Sequence, residues 1–138
     1  MPTTGFVKVT QILQELNLTY FVLPESSAVV MRFRVEDRGF ALIIVVGDQW
    51  IDLRVALARR SQIPKITENE LWRKLLSSHT RTRMFRFGLD SEGNVGISCD
   101  LPVEGLDSKG LRRQIEAIVG SIMYFLNEIA RPMKIECG

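Results

Sequence analysis

Three stretches between Ala28 and Ala58 read as β-strands laid end to end, and they decide the class of fold. In the first, Val29, Met31, Phe33 and Val35 alternate with Arg32, Arg34 and Glu36, the period of a strand with one buried and one wetter face. Phe40-Ala41-Leu42-Ile43-Ile44-Val45-Val46 is apolar on both faces, which suits a central strand covered on both sides. From Trp50 to Ala58, Ile51, Leu53, Val55 and Leu57 oppose Trp50, Asp52 and Arg54. Asp37-Arg38-Gly39, with Gly39 suited to a positive φ, and Gly47-Asp48-Gln49 are the turns between them. Connections this short make an antiparallel meander.

The rest of the chain supplies helices and a hairpin. Val9, Ile12, Leu13 and Leu16 recur at helical spacing, predicting a helix from about Phe6 to Asn17. Tyr20-Phe21-Val22-Leu23 is a short strand stopped by Pro24. Arg59 to Ile66 is a linker. Thr67-Glu68-Asn69-Glu70 then has the form of a capping box opening a second helix, with Leu71, Trp72, Leu75 and Leu76 as its stripe and Ser77-Ser78 near its end. Phe85, Phe87 and Leu89 share one face of a strand. Asp90-Ser91-Glu92-Gly93-Asn94 turns it, and Val95, Ile97, Cys99 and Leu101 return as far as Pro102. A long last helix, capped by Asp107 or Ser108, carries Leu111, Ile115, Ile118, Val119, Ile122, Leu126 and Ile129 and is limited by Pro132. The expected class is α+β in the order α-β-β-β-β-α-β-β-α, an antiparallel sheet (meander plus hairpin) packed with three helices. It forms one domain over residues 1–138, with 132–138 as a C-terminal tail.

Composition sets bounds on function. The 138 residues are 46% hydrophobic and 25% charged, too apolar for disorder and long enough to bury a core without a staple. Two cysteines make no disulfide scaffold, and one histidine excludes a His-only metal site. The N-terminus lacks the basic region and apolar core of a signal peptide, and the longest apolar run, Phe40 to Val46, is far short of the roughly 20 residues of a membrane helix. A cytoplasmic protein is expected, with no membrane contact.

No nucleotide loop, catalytic triad or metal-ligand run is legible. Cys99 lies on the apolar side of its strand and reads as core, while Cys137 lies in the tail. His79 could pair with a cysteine as base and nucleophile only if the fold brought them together. The acidic turn at Asp90–Asn94 lacks the length and terminal glutamate of an EF-hand. The expectation is a protein that is not an enzyme and takes no cofactor.

Charge is uneven. Residues 54–86 hold nine basic residues (Arg54, Arg59, Arg60, Lys65, Arg73, Lys74, Arg81, Arg83, Arg86) against Glu68 and Glu70, a local +7 in a chain of net +2. Residues 87–107 hold five acids and no base. The basic group Arg73, Lys74, Arg81, Arg83 and Arg86 could bind nucleic-acid phosphates, or the acidic hairpin within the chain or across a dimer. Arg32, Arg34 and Arg54 with Trp50 could serve a single strand, or form a solvated sheet face with ion pairs. On that face of the meander Val30, Ala41, Ile43, Val45 and Trp50 make an apolar centre with charged flanks. Either the last helix covers it, or a second chain or bound peptide does. Val30, Ile43, Val45 and Trp50 are the candidate dimer or client surface.

From about Ile12 to Ile129 the chain resembles the YbjN-type proteins, whose fold is that of the type III secretion chaperones. The resemblance rests on the layout of Met31–Ala58 and on Phe85-Arg86-Phe87-Gly88-Leu89-Asp90-Ser91-Glu92-Gly93-Asn94-Val95. It rests also on Leu101-Pro102-Val103-Glu104-Gly105-Leu106 leading into a long amphipathic helix. Ser77 stands where such proteins often carry Asn. These motifs are structural and transfer no active site. The resemblance implies frequent homodimers and a role in binding proteins, chaperone-like or in signal-transduction regulation, with an extended segment of a client held along sheet and helix. The secretion chaperones tend to be acidic, whereas this chain is slightly basic. The alternative reading is a nucleic-acid-binding regulator using the basic 54–86 segment.

Overall fold

The structure, a computed structural model, describes residues 3–79 and 85–137. Helix α1 (Thr4–Glu15) starts two residues earlier than its apolar spacing suggests, because the Thr3 hydroxyl accepts the Phe6 N–H and caps it. Strands β1 (Phe21–Leu23), β2 (Ala28–Val35), β3 (Arg38–Val46) and β4 (Trp50–Ala58) follow. After them come α2 (Glu68–Ser78), β5 (Arg86–Leu89), β6 (Val95–Pro102) and α3 (Ser108–Tyr124). The last helix continues through a π turn (Phe125–Ala130) into α4 (Arg131–Met133). The predicted order and α+β class hold. All pairings are antiparallel, and the sheet order is β1-β2-β3-β4-β6-β5.

The period-two pattern sorts the sheet into two faces. Val29, Met31, Val35, Phe40, Leu42, Ile44, Val46, Ile51, Leu53, Val55, Leu57, Val95, Ile97 and Cys99 are all buried on one of them. The apolar stripes of all the helices pack there: Val9 and Leu13 of α1, Leu71 and Leu75 of α2, Leu111, Ile118 and Ile122 of α3, and Phe125 of the π turn. Phe125 is fully buried and 5.9 Å from the Phe87 ring, so its loss to Ala would cost about 3–5 kcal/mol. Asp107 caps α3 by accepting the Gly110 N–H at 2.7 Å.

Four local expectations are corrected. The β2–β3 hairpin turns on Glu36 and Asp37, both at positive φ (51° and 66°), with Val35 paired to Arg38; Gly39 is already in β3 and needs no special conformation. The Thr67 capping box does not form. The chain enters α2 from a 3₁₀ turn (Lys65–Thr67), and the Thr67 hydroxyl donates to the Pro64 carbonyl instead. Pro132 does not stop the last helix. The chain passes through it directly after the π turn, in unbroken helical conformation, and the helix ends at Lys134 in the left-handed region. Finally, residues 132–137 are not a loose tail: Met133, Ile135 and Cys137 are buried. Ile135 N–H donates to the Ala130 carbonyl, and the Arg38 guanidinium donates to the Cys137 carbonyl at 3.0 Å.

Candidate functional site: the open face of the sheet

With every described helix on one face, no described element covers the other. Pairing places Phe21, Val30, Ile43, Arg54, Ser98 and Arg86 in one row across it. The next row is Leu23, Ala28, Val45, Asp52 and Asp100, and beyond it Trp50 stands beside Pro102. Phe21 is 45% exposed, Leu23 43%, Ile43 40%, Val45 37% and Trp50 57%. The last helix therefore does not cover this face, and Ile43, Val45 and Trp50 form an exposed apolar patch, the kind that marks an interaction surface. Val30 shares the face but is 7% exposed, because it lies between Phe21 and Ile43 in the row. It is the floor of the patch, not a contact.

Phe21 and Leu23 were not singled out in the sequence. Three residues show too little alternation to assign a face, and only pairing with β2 aligns them with the meander's open side. The signal that could have found them was Pro24, which ends the strand early and leaves it at an edge.

Charges divide this face. The Asp52 carboxylate accepts from Arg54 at 2.7 Å, and this bond holds the guanidinium still more firmly charged. Asp100 takes Arg86 at 3.4 Å. These pairs are solvated, so they contribute little stability and instead consume the acids of the face. Arg32 lies over the Phe21 ring, 5.8 Å from its centroid. Among the described residues no acid pairs with Arg32 or Arg34.

The basic group of the 54–86 segment is not one surface. Arg73 and Lys74 lie on α2, in the helical layer, whereas Arg86 points to the open face opposite. Arg81 and Arg83 lie outside the described residues. Arg60 pairs with Glu68 at 3.5 Å, and its backbone N–H donates to Asn94 of the acidic hairpin. The basic segment and that hairpin thus touch within one chain. In the hairpin, Asp90 accepts from the Asn94 amide and side chain and from the Glu92 amide, and the Asn94 bonds above all pull its carboxyl below its ordinary value.

The isolated reactive side chains have structural partners. His79 Nε2 accepts the Phe87 N–H, so its lone pair is occupied. Cys99 is buried and hydrogen-bonded to Gln114; burial pushes its thiol up. Burial also raises the Cys137 thiol, against the opposing pull of Arg38. Among the described residues, no three His, Cys, Asp or Glu side chains stand together as a metal site, and no helix is long and apolar enough to cross a membrane.

Solved structures of low sequence identity share this architecture. YbjN from E. coli superposes with a TM-score of 0.67 at 15% identity, covering 90% of this chain and 92% of that one. A chain of the ExsC–ExsE complex gives 0.63 at 12% identity, over 91% and 94%. A chain of the HopA1–SchA chaperone–effector complex gives 0.61 at 17%, over 85% and 88%. The fold is that of secretion chaperones. A search of curated protein sequences gives no match. The YbjN family, described as "Putative bacterial sensory transduction regulator", matches over residues 7–131, and the chain belongs to that family.

Proposed function

We propose that this chain is a protein-binding module, chaperone-like or regulatory, that works without catalysis and holds a segment of a client protein on the open face of its sheet. One observation carries the reading: Ile43, Val45, Trp50, Phe21 and Leu23 present an exposed apolar surface that no described helix covers. Burying Ile43 and Trp50 against a partner would contribute about 1.5–3 kcal/mol each, enough for the centre of an interface. The chaperone–effector complex among the structures of like fold supports the same reading. A homodimer seated on this face is the other arrangement the surface would accept. The nucleic-acid alternative has less support, since Arg54, Arg60 and Arg86 each face an acid.

A tagged pull-down from native lysate, run with and without nuclease, tests the proposal. Partners recovered by the wild-type chain should survive nuclease and be lost with Ile43→Asp, which leaves the buried face untouched. A partner set indifferent to Ile43→Asp, or one that vanishes with nuclease, would overturn it. Sedimentation of the purified chain separates client binding from self-association.

A further inference from the structure

One row of the open face has almost no side chains. Next to Arg32 in β2 comes Ala41 in β3; Ala56 of β4 pairs with Gly96 of β6, and Gly96 with Gly88 of β5. The β3–β4 ladder ends one step away at Leu42 and Val55, and Ala41 and Ala56 line one depression just beyond it. The result is a trough that crosses the strands. Ile43, Arg54, Ser98 and Arg86 wall it on one side, and Arg32 and Arg34 stand at its β2 end. Two surface depressions meet in it at Ala56, one of about 530 Å³ walled by Arg32 and Arg34, the other running past Gly96, Ser98 and Gly88 to Asp90 of the hairpin turn.

Only one glycine of this trough is explained by the fold. A Cβ on Gly96 would come within 3.0 Å of the Val55 carbonyl oxygen, beside the bulge at Ala56–Ala58. Gly88 has neither a positive φ nor any atom within 4 Å of where a Cβ would stand. A strand glycine that no neighbour requires suits a place where another backbone approaches closely.

We propose that this trough takes an acidic polypeptide segment, lying over Gly88, Gly96, Ala56 and Ala41 with its carboxylates on Arg32 and Arg34. Charge complementarity chooses the occupant. Asp52 and Asp100 are already engaged by Arg54 and Arg86, and Asp90 stands at the opposite, β5 end, so among the described residues the β2 end is the positive end of the trough, with Arg32 and Arg34 paired to no acid. Guanidinium forks bind carboxylates in bidentate fashion. Five strands at about 4.8 Å spacing make the trough roughly 19 Å long, the span of about six extended residues. A single-stranded nucleic acid fits less well, because it needs aromatic platforms along its path. Trp50 is six residues up β4 from Ala56, roughly 20 Å away, and the exposed Phe21 ring lies at the β2 end with Arg32 over it, not along the Ala56–Gly96–Gly88 floor. The inference rests on the protein-binding reading above and adds the chemistry and course of the bound segment.

Selection of random 16-residue peptides displayed on phage, against the full chain, tests it. Selected peptides should be rich in Asp and Glu. The best of them should bind at least tenfold more weakly to the Arg32→Glu/Arg34→Glu double variant. It should weaken as much with Gly88→Val or Ala56→Leu, exposed changes that fill the trough and leave the core alone. Failure to select any peptide, peptides without excess acid, or equal binding to the double variant would overturn the proposal. So would a twenty-residue oligothymidine that outcompetes the peptide, or a dimer that dissociates with Ala56→Leu. If Ile43→Asp abolishes peptide binding and the arginine reversals do not, the open face stands as a docking surface and its acidic occupant falls. If neither acts, both readings fall.

Discussion

The Nε2 of His79, at the C-terminal end of α2, accepts the backbone N–H of Phe87 in β5 at 2.9 Å. The two rings stack at 6.2 Å, and Phe87 packs in turn on Phe125 and Tyr124 of the last helix. One imidazole thus ties α2 to the edge strand and to the core. Replacing His79 by Ala leaves the amide without its partner and a gap beside Phe87. We expect a loss of about 1–3 kcal/mol in denaturant-induced unfolding. A stability within 0.3 kcal/mol of wild type, by the same measurement, would show that water replaces the imidazole at no cost.

The β2–β3 hairpin turns on two residues that resist its geometry. Glu36 and Asp37 both have positive φ, the requirement of a two-residue type I′ turn, which favours Asn-Gly. Asp37→Gly should raise stability by about 0.5–1 kcal/mol, because glycine reaches this conformation without Cβ strain. Chemical denaturation of the variant reads this directly, and a decrease would mean that the Asp37 side chain supports the turn in a way its backbone angles do not reveal.

The docked C-terminal residues should matter to the whole fold. Ile135 is buried, and Arg38 reaches across from β3 to the Cys137 carbonyl. Ile135→Ala should cost about 2–4 kcal/mol and lower the midpoint of thermal unfolding. An unchanged midpoint would place this segment outside the cooperative unit.

Both thiols should be sluggish. Burial raises Cys99 and Cys137, and each is protonated at neutral pH in the folded chain. Reaction with a disulfide reagent at pH 7 should be slow and accelerate on unfolding. The sign for stability follows from the raised folded-state value. Their contribution is full below the ordinary thiol range and is lost as pH rises past it, since the unfolded thiols ionise first. Rapid native-state labelling of Cys99 would show that the β6 region opens readily.

Much of this molecule was legible one residue at a time. Period-two alternation located β2, β4 and β6, a continuous apolar run between two turns located β3, and helical spacing located the three helices, because each pattern is a local consequence of backbone geometry. The errors lie where a second segment intervenes. The Thr67 cap was displaced by a 3₁₀ turn that had already engaged the hydroxyl. The last residues looked like a tail because Met133, Ile135 and Cys137 are too few to show a period, and only the Arg38 contact and the core reveal that they are packed.

The candidate site divides in the same way. That Ile43 and Val45 share one face of β3 follows from their spacing, and the β3–β4 register puts Trp50 of β4 on the same side. Whether the last helix would also cover the wetter side was not decidable from spacing, because Ile43 and Val45 of the β3 run make the centre of that side apolar as well. Tertiary packing chose. It buried Val30 between Phe21 and Ile43, brought β1 to the open face, and aligned Ala41, Ala56, Gly96 and Gly88 across strands distant in sequence. Sequence determines the period of a strand, a property of its own backbone. The register between strands and the choice of covered face are set by the burial of many side chains at once, and only the folded chain carries that sum.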